Sequence, residues 1–260
     1  LGMRGLVTLE IEAEGTKGDL HSGTHGGIAY NPNRALVEML GKVFDKEGKI
    51  TIPGFYDTIL PLTKEEKESV SFDFDENKYI DDYGAPATGG EKGLKPLERN
   101  WLRPTFEING MWGGYTGHGF KTVIPSKAYA KVSCRLVRGQ DPIAIGELVK
   151  NHFENSAPAG IKIKVTRHLG GGPATLTTPN SKIVQAFSLA FEKVFKKPCK
   201  YILEGASIPI VSKLSRASGA EAVLVGVGLA TDQIHAPNEH FGLERLEKGR
   251  DVMIEAILSL

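Results

Sequence analysis

Two histidines framed by glycines carry the chemistry that this sequence offers most plainly. In Asp19-Leu20-His21-Ser22-Gly23-Thr24-His25-Gly26-Gly27 the glycines permit sharp turns and close approaches, so the loop can present an imidazole outward. The plain alternative is a glycine-rich turn whose histidines cap backbone groups. A second glycine-framed histidine, His235, follows Ala222 to Val227, which reads as a short buried strand. Ligands collect at the carboxyl ends of strands in α/β sheets, and a neutral imidazole there suits zinc or acid–base work near neutral pH. A zinc site takes at least three protein ligands as a rule, and the sequence has no His-Glu-x-x-His pair to supply two of them.

Two further residue types point to anion binding. Ser207, in Glu204-Gly205-Ala206-Ser207-Ile208-Pro209, stands at what reads as a helix start, where amides and a hydroxyl can hold a carboxylate. An ordinary serine cap explains it equally well, and the context is not the Gly-x-Ser-x-Gly of a nucleophile elbow. Arg135 lies on the polar face of an alternating strand and can grip a carboxylate through its two-pronged guanidinium, or simply solubilise that face. Gly110 to Gly119 is dense in glycine but lacks the Gly-Lys-Ser/Thr ending of a phosphate loop, which rules that reading out.

The elements that must position these residues follow from periodicity. Val7, Leu9, Ile11 and Ala13 alternate with Thr8, Glu10, Glu12 and Glu14, the pattern of a half-buried strand. Asn31-Pro32 caps and opens a helix with apolar residues at helical spacing. Residues 49 to 102 are poorly periodic and read as an insertion, with the charge run Lys64 to Glu68 a solvated helix face. Arg103 to Asn109 is a strand, Lys127 to Val137 alternates cleanly, Asp141-Pro142 opens a helix, and Ile161, Ile163 and Val165 form another strand. The order βαββαβ builds a four-stranded antiparallel sheet with two helices on one face, the split βαβ arrangement. Leu169 to Pro173 marks a boundary, after which Thr178-Pro179 starts a helix, Ser207 caps another, and Leu243 to Leu260 closes the chain. That second unit has about one recognisable strand and needs a partner segment to complete its sheet.

Composition narrows the class. Apolar content of 40%, charged content of 24% and a net charge of +1 over 260 residues describe an ordinary chain with no clustered basic surface for nucleic acid. No apolar run reaches the length of a membrane span. The two cysteines, Cys134 and Cys199, are too few for a disulfide framework, so a reducing, cytoplasmic setting is expected. The start at Leu1 rather than methionine leads us to expect a piece of a longer protein.

Taken together and in order, Asp19-Leu20-His21-Ser22-Gly23, Asn31-Pro32, Gly54-Phe55-Tyr56-Asp57, Lys121-Thr122-Val123-Ile124-Pro125, Arg135-Leu136-Val137, Glu204 to Pro209 and His235-Ala236-Pro237-Asn238-Glu239 resemble the dinuclear-zinc aminoacylase and dipeptidase family. The dipeptidase branch fits best. The resemblance implies an α+β lid domain over residues 5–168, a ferredoxin-like sheet with an insertion at about 49–102. It makes residues 171–260 the C-terminal part of an α/β zinc-peptidase catalytic domain. By the same resemblance, His235 is a zinc ligand, His21 reaches into a partner subunit's site to polarise the scissile carbonyl, and Thr122, Arg135 and Ser207 hold substrate. The family's other metal ligands lie upstream of the lid, so the two zinc ions belong to a full-length parent. A complete site, and hydrolysis, are not expected of this chain alone. The implied substrate is a small peptide or an N-acyl amino acid, and the implied assembly is a homodimer through the lid. The rival expectations are an N-acyl amino acid deacylase and a non-catalytic dimerisation or binding protein derived from the family. Arg138 and Ala206 depart from the branch's usual proline and glycine.

Overall fold

The computed structural model describes residues 1–234 and 236–260, with the backbone alone at Ala230. Strand β1 (Gly2–Met3) passes through Arg4 into β2 (Gly5–Glu14), and β3 (Leu20–His21) runs into the single turn of α1 (Ser22–His25). Helix α2 (Pro32–Gly41) is followed by α3 (Lys64–Ser69), α4 (Glu76–Tyr83) and α5 (Pro96–Leu102). Strands β4 (Thr105–Gly113), β5 (Val123–Ile124) and β6 (Lys127–Leu136) precede α6 (Pro142–Asn155) and β7 (Lys162–Arg167). The rest holds β8 (Thr175–Leu176), α7 (Lys182–Phe195), β9 (Leu203–Glu204), α8 (Pro209–Ser218) and α9 (Leu243–Leu258).

The main sheet has the order β4-β6-β2-β7, with every neighbouring pair antiparallel. Alternation along β2 and β6 sends Val7, Leu9, Ile11, Ala13, Ala130, Val132, Cys134 and Leu136 to one buried face. Helices α2 and α6 cover that face with Leu36, Leu40, Ile145, Val149 and Phe153. Each fully buried aliphatic or aromatic side chain there stabilises the fold by roughly 1.5–3 kcal/mol. Both helices start as their sequences dictate. The Asn31 side chain accepts from the Asn33 amide at 2.9 Å, and Asp141 accepts from the Ile143 and Ala144 amides, each at 2.9 Å. Burial pushes the Cys134 thiol well above its ordinary range, which makes it a packing residue.

The chain crosses between the main sheet and a small one of order β8-β1-β9 through two strands lying side by side. The Leu6 amide donates to the Gly172 carbonyl at 2.8 Å and the Gly172 amide donates back to Leu6 at 3.1 Å. Gly5 is required at this crossing, because a Cβ there would stand 2.6 Å from the Gly172 carbonyl oxygen.

The region expected as an insertion is more than surface. Val70 bridges to Tyr201, the Ser71 amide donates to the Tyr201 carbonyl at 2.9 Å, and Trp101 and Phe72 pack with Leu1, Val184 and Leu203. Lys64 to Glu68 does form an exposed helix, with Thr63 and Glu66 in a reciprocal cap.

Three sequence expectations need correction. Ala222 to Val227 is not a strand: a strand requires a ladder partner, and the described residues supply none beside it. Instead Val223, Val225 and Val227 line an open groove of about 960 Å³ with α7 and α9. Thr178-Pro179 forms a turn, and α7 starts later, at Lys182, with the Ser181 hydroxyl donating to Glu221 at 2.6 Å. Ser207 does not cap α8, whose N-cap is Ile208 with no side-chain cap bond. Among the described residues no helix is long and apolar enough to cross a membrane.

Candidate functional site

His21 and Thr122, 101 residues apart, are brought together by the two-residue pairing of β3 with β5, which aligns Leu20 with Ile124 and His21 with Val123. The Ser22 amide donates to the Thr122 carbonyl at 2.9 Å, and the Asp19 carboxylate accepts from the Ser126 amide at 2.8 Å and its hydroxyl at 3.1 Å. His21 is the N-cap of α1, and its Nδ1 accepts from the Gly23 amide at 3.1 Å. An acceptor at Nδ1 puts the proton of the neutral ring on Nε2. Nε2 faces the Thr122 hydroxyl at 3.2 Å. The neutral imidazole therefore offers an N–H donor on an exposed loop. Gly23 protects that geometry, since a Cβ there would lie 2.8 Å from His21 Cε1. His25, also singled out by the sequence, contributes its carbonyl to the Ile28 and Ala29 amides, each at 3.0 Å.

Arg135 and Ser207 form the second pair. Arg135 projects from the face of β6 opposite the helices, between Leu6 and Thr105 on the flanking strands. Its Nη1 donates to Ser207 Oγ at 2.8 Å, and the Ser207 hydroxyl donates to the Gly5 carbonyl at 3.0 Å. Both side chains are half-buried. The serine thus works through a tertiary contact in the turn before α8. The Ser207 proton is used by Gly5, so what suits a carboxylate here is the Arg135 guanidinium, oriented by the serine oxygen and with further N–H groups to offer.

A residue that the sequence did not flag completes this corner. Arg4 Nε donates to the Gly205 carbonyl at 2.8 Å, and its Nη1 lies 3.5 Å from both the Arg103 carbonyl and Thr105 Oγ1. Burial, and next the charge of Arg135, lower its pKa to about 10. Met3-Arg4-Gly5 carries no motif or period that would mark the arginine, because its partners lie about 100 and 200 residues away.

The two pairs are far apart within one chain. Thr122 and His21 adjoin the Lys127 end of β6, and the steps from Lys127 to Arg135 span roughly 26 Å at about 3.3 Å per residue. An extended dipeptide reaches at most about 7 Å. Within one chain the two pairs therefore do not both reach a ligand of dipeptide length.

The zinc ligand expected at His235 lies outside the described residues. Three residues earlier in the sequence, Asp232 receives Arg245 Nη1 and Nη2 at 2.6 Å each, together with the Leu229 amide at 2.7 Å. These bonds hold the Asp232 carboxyl down from 3.8 to about 2, with Arg245 the larger cause. Arg245 also donates to the Val227 carbonyl at 3.1 Å and stacks over Phe241 at 4.6 Å. Asp232 is thereby committed to tying Leu229 to α9 through Arg245. Among the described residues no group of three or more His, Cys, Asp and Glu is arranged to hold a metal ion, so the described donor set does not fit a zinc centre.

Comparison with known proteins places the chain in a family. The family described as the peptidase dimerisation domain of M20 matches residues 1–161. The Cys-Gly metallodipeptidase of Candida albicans is 30% identical over 254 residues, covering 95% of this chain and 52% of that protein. The human Beta-Ala-His dipeptidase is 30% identical over 242 residues, covering 92% of this chain and 48% of that protein. Among solved structures, the M20 family metallo-carboxypeptidase of Sulfolobus solfataricus superposes with a TM-score of 0.87 at 29% identity, over 99% of this chain and 58% of that one. Human carnosine dipeptidase 1 superposes with a TM-score of 0.79 at 28% identity, over 99% and 55%. The chain spans about half the length of the curated relatives it matches. With the mixed α/β fold shared with M20 peptidase structures and a dimerisation-domain match over most of its length, this chain belongs to the M20 peptidase family.

Proposed function

We propose that the chain is the lid, residues 5–168, and the C-terminal catalytic portion, residues 171–260, of a zinc-dependent dipeptidase or related amide hydrolase, homodimeric through the lid. The strand order β4-β6-β2-β7 with two helices on one face supports reading the lid as ferredoxin-like. The observation that carries the functional reading is the distance between the His21–Thr122 and Arg135–Ser207 pairs. Two pairs suited to opposite ends of one dipeptide, yet separated by much more than its length, are expected to meet across a dimer. His21 and Thr122 of one protomer then serve the site in which Arg135 and Ser207 of the other take the substrate carboxylate.

In that arrangement the Nε2–H of His21 donates to the scissile carbonyl oxygen and favours its developing negative charge. The Thr122 hydroxyl, which faces Nε2 in the free chain, yields that N–H to the substrate, and the Gly23 amide at Nδ1 keeps the ring in place. Arg135 and Ser207 orient the substrate by its carboxylate, which lowers the entropic barrier to reaction. The metal chemistry is assigned to a parent protein, and this chain alone is proposed to be inactive.

Subunit mixing tests the reading. In the full-length parent, His21→Ala and Arg135→Ala homodimers should each be nearly inactive. After verified subunit exchange, heterodimers should regain activity, because one of their two sites is intact. Exchange without recovery would count against action across the interface. Dipeptide hydrolysis by the purified 260-residue chain supplied with zinc would overturn the proposed inactivity.

A further inference from the structure

Arg4 and Arg135 place two guanidinium groups at one corner of the molecule without a counter-ion. Among the described residues neither forms an ion pair, although other arginines do, Arg103 with Glu91 at 2.9 Å and Arg245 with Asp232 at 2.6 Å among them. The nearest acidic influences on Arg4 are Glu107 and Glu204. Glu204 already accepts from the Ala206 amide at 3.0 Å. Two like charges held together in a partly desolvated setting are unfavourable by themselves, and an anion relieves that repulsion.

Arg4 also holds the backbone that presents Ser207. Its amide donates to the Glu204 carbonyl at 3.2 Å while its Nε grips the next carbonyl, Gly205, at 2.8 Å. Asn100 of α5 closes the other side so tightly that a Cβ on Gly205 would overlap its Oδ1 at 1.7 Å. Only Ala206 separates the clamped Gly205 from Ser207, whose hydroxyl faces Arg135.

We propose that Arg4 is a positioning residue of the Arg135–Ser207 subsite, fixing the turn that carries Ser207 and making the corner select a ligand that ends in a free carboxylate over a neutral one. This deepens the functional reading above and rests on it. Arg4 acts in two ways, by geometry through Gly205 and by charge beside Arg135.

The test uses the 260-residue chain with labelled arginine side chains, titrated with glycylglycine and with glycylglycinamide and followed by NMR at the Arg135 guanidinium and the Ser207 amide. The unaltered chain should respond to the acid and much less to the amide, and Arg135→Gln should abolish the response. Arg4→Gln should weaken binding of the acid about tenfold, the scale of one nearby charge at a partly exposed site. Arg4→Lys keeps the charge but loses the planar grip on Gly205, and should weaken it about threefold. Unchanged spectra away from residues 203–207 separate a lost subsite from a lost fold, and Arg4→Lys carries the test if Arg4→Gln does not fold. Wild-type affinity in either folded Arg4 variant, with Arg135→Gln silent, overturns the role of Arg4 and leaves the carboxylate subsite standing. No acid-selective response in the unaltered chain overturns the subsite itself.

Discussion

Arg135 Nη1 lies 2.8 Å from Ser207 Oγ, joining the main sheet to the turn before α8 across 72 residues of sequence. The Ser207 proton is meanwhile spent on the Gly5 carbonyl, so a single hydroxyl links β6, the crossing into β2 and the turn. Ser207→Ala breaks both bonds and leaves the Gly5 carbonyl without this donor. A loss of about 1–3 kcal/mol in unfolding free energy is expected by urea denaturation. An unchanged midpoint would mean that water replaces the hydroxyl at no cost.

The neutral His21 ring should carry its proton on Nε2, because Nδ1 accepts from the Gly23 amide. Nitrogen chemical shifts of the histidine ring distinguish the two tautomers directly. Gly23→Ala should disturb this signal, since the added methyl meets the ring, while thermal stability changes little on so exposed a loop. A dominant Nδ1–H form in the unaltered chain would remove the donor role.

The Asp232–Arg245 pair gives the tie between Leu229 and α9 a defined acid sensitivity. The folded pKa of Asp232, about 2, lies below the ordinary 3.8. The sign follows: the unfolded chain binds the proton more readily, so the stabilisation is fully present above 3.8 and is lost as pH falls through about 2. Urea midpoints measured across that window should fall for the unaltered chain and fall less steeply for Asp232→Asn. Parallel curves would show that Arg245 does not stabilise the charged carboxylate.

Phe153 is fully buried between the sheet and α6 and stacks with Phe106 at a centroid distance of 6.2 Å. Phe153→Ala should lower stability by about 3–5 kcal/mol through lost burial and a residual cavity. Calorimetry would reveal it, and a change below about 1 kcal/mol would mean that α6 is not part of the cooperative core.

The alternation of β2 and β6 and the Asn31-Pro32 and Asp141-Pro142 helix starts were legible in the sequence because each depends on neighbours within a few residues. The outward direction of Arg135 followed from the same period of two. The strand expected at Ala222 to Val227 shows the limit of such reasoning, since apolar residues invite a strand but hydrogen-bonding partners decide whether one forms. Ser207 was read at a helix start, as an anion-holding hydroxyl or an ordinary cap, whereas its partners in the fold are Arg135 and Gly5. Arg4 went unnoticed altogether, its contacts lying at Gly205, Arg103 and Thr105. Composition, local period and capping chemistry were thus determined by the sequence by itself. Which distant side chains share a corner, and which pairs stand too far apart to serve one substrate within one chain, were decided only by the tertiary structure, because strand pairing and chain crossing bring remote residues together with no local mark of where they will meet.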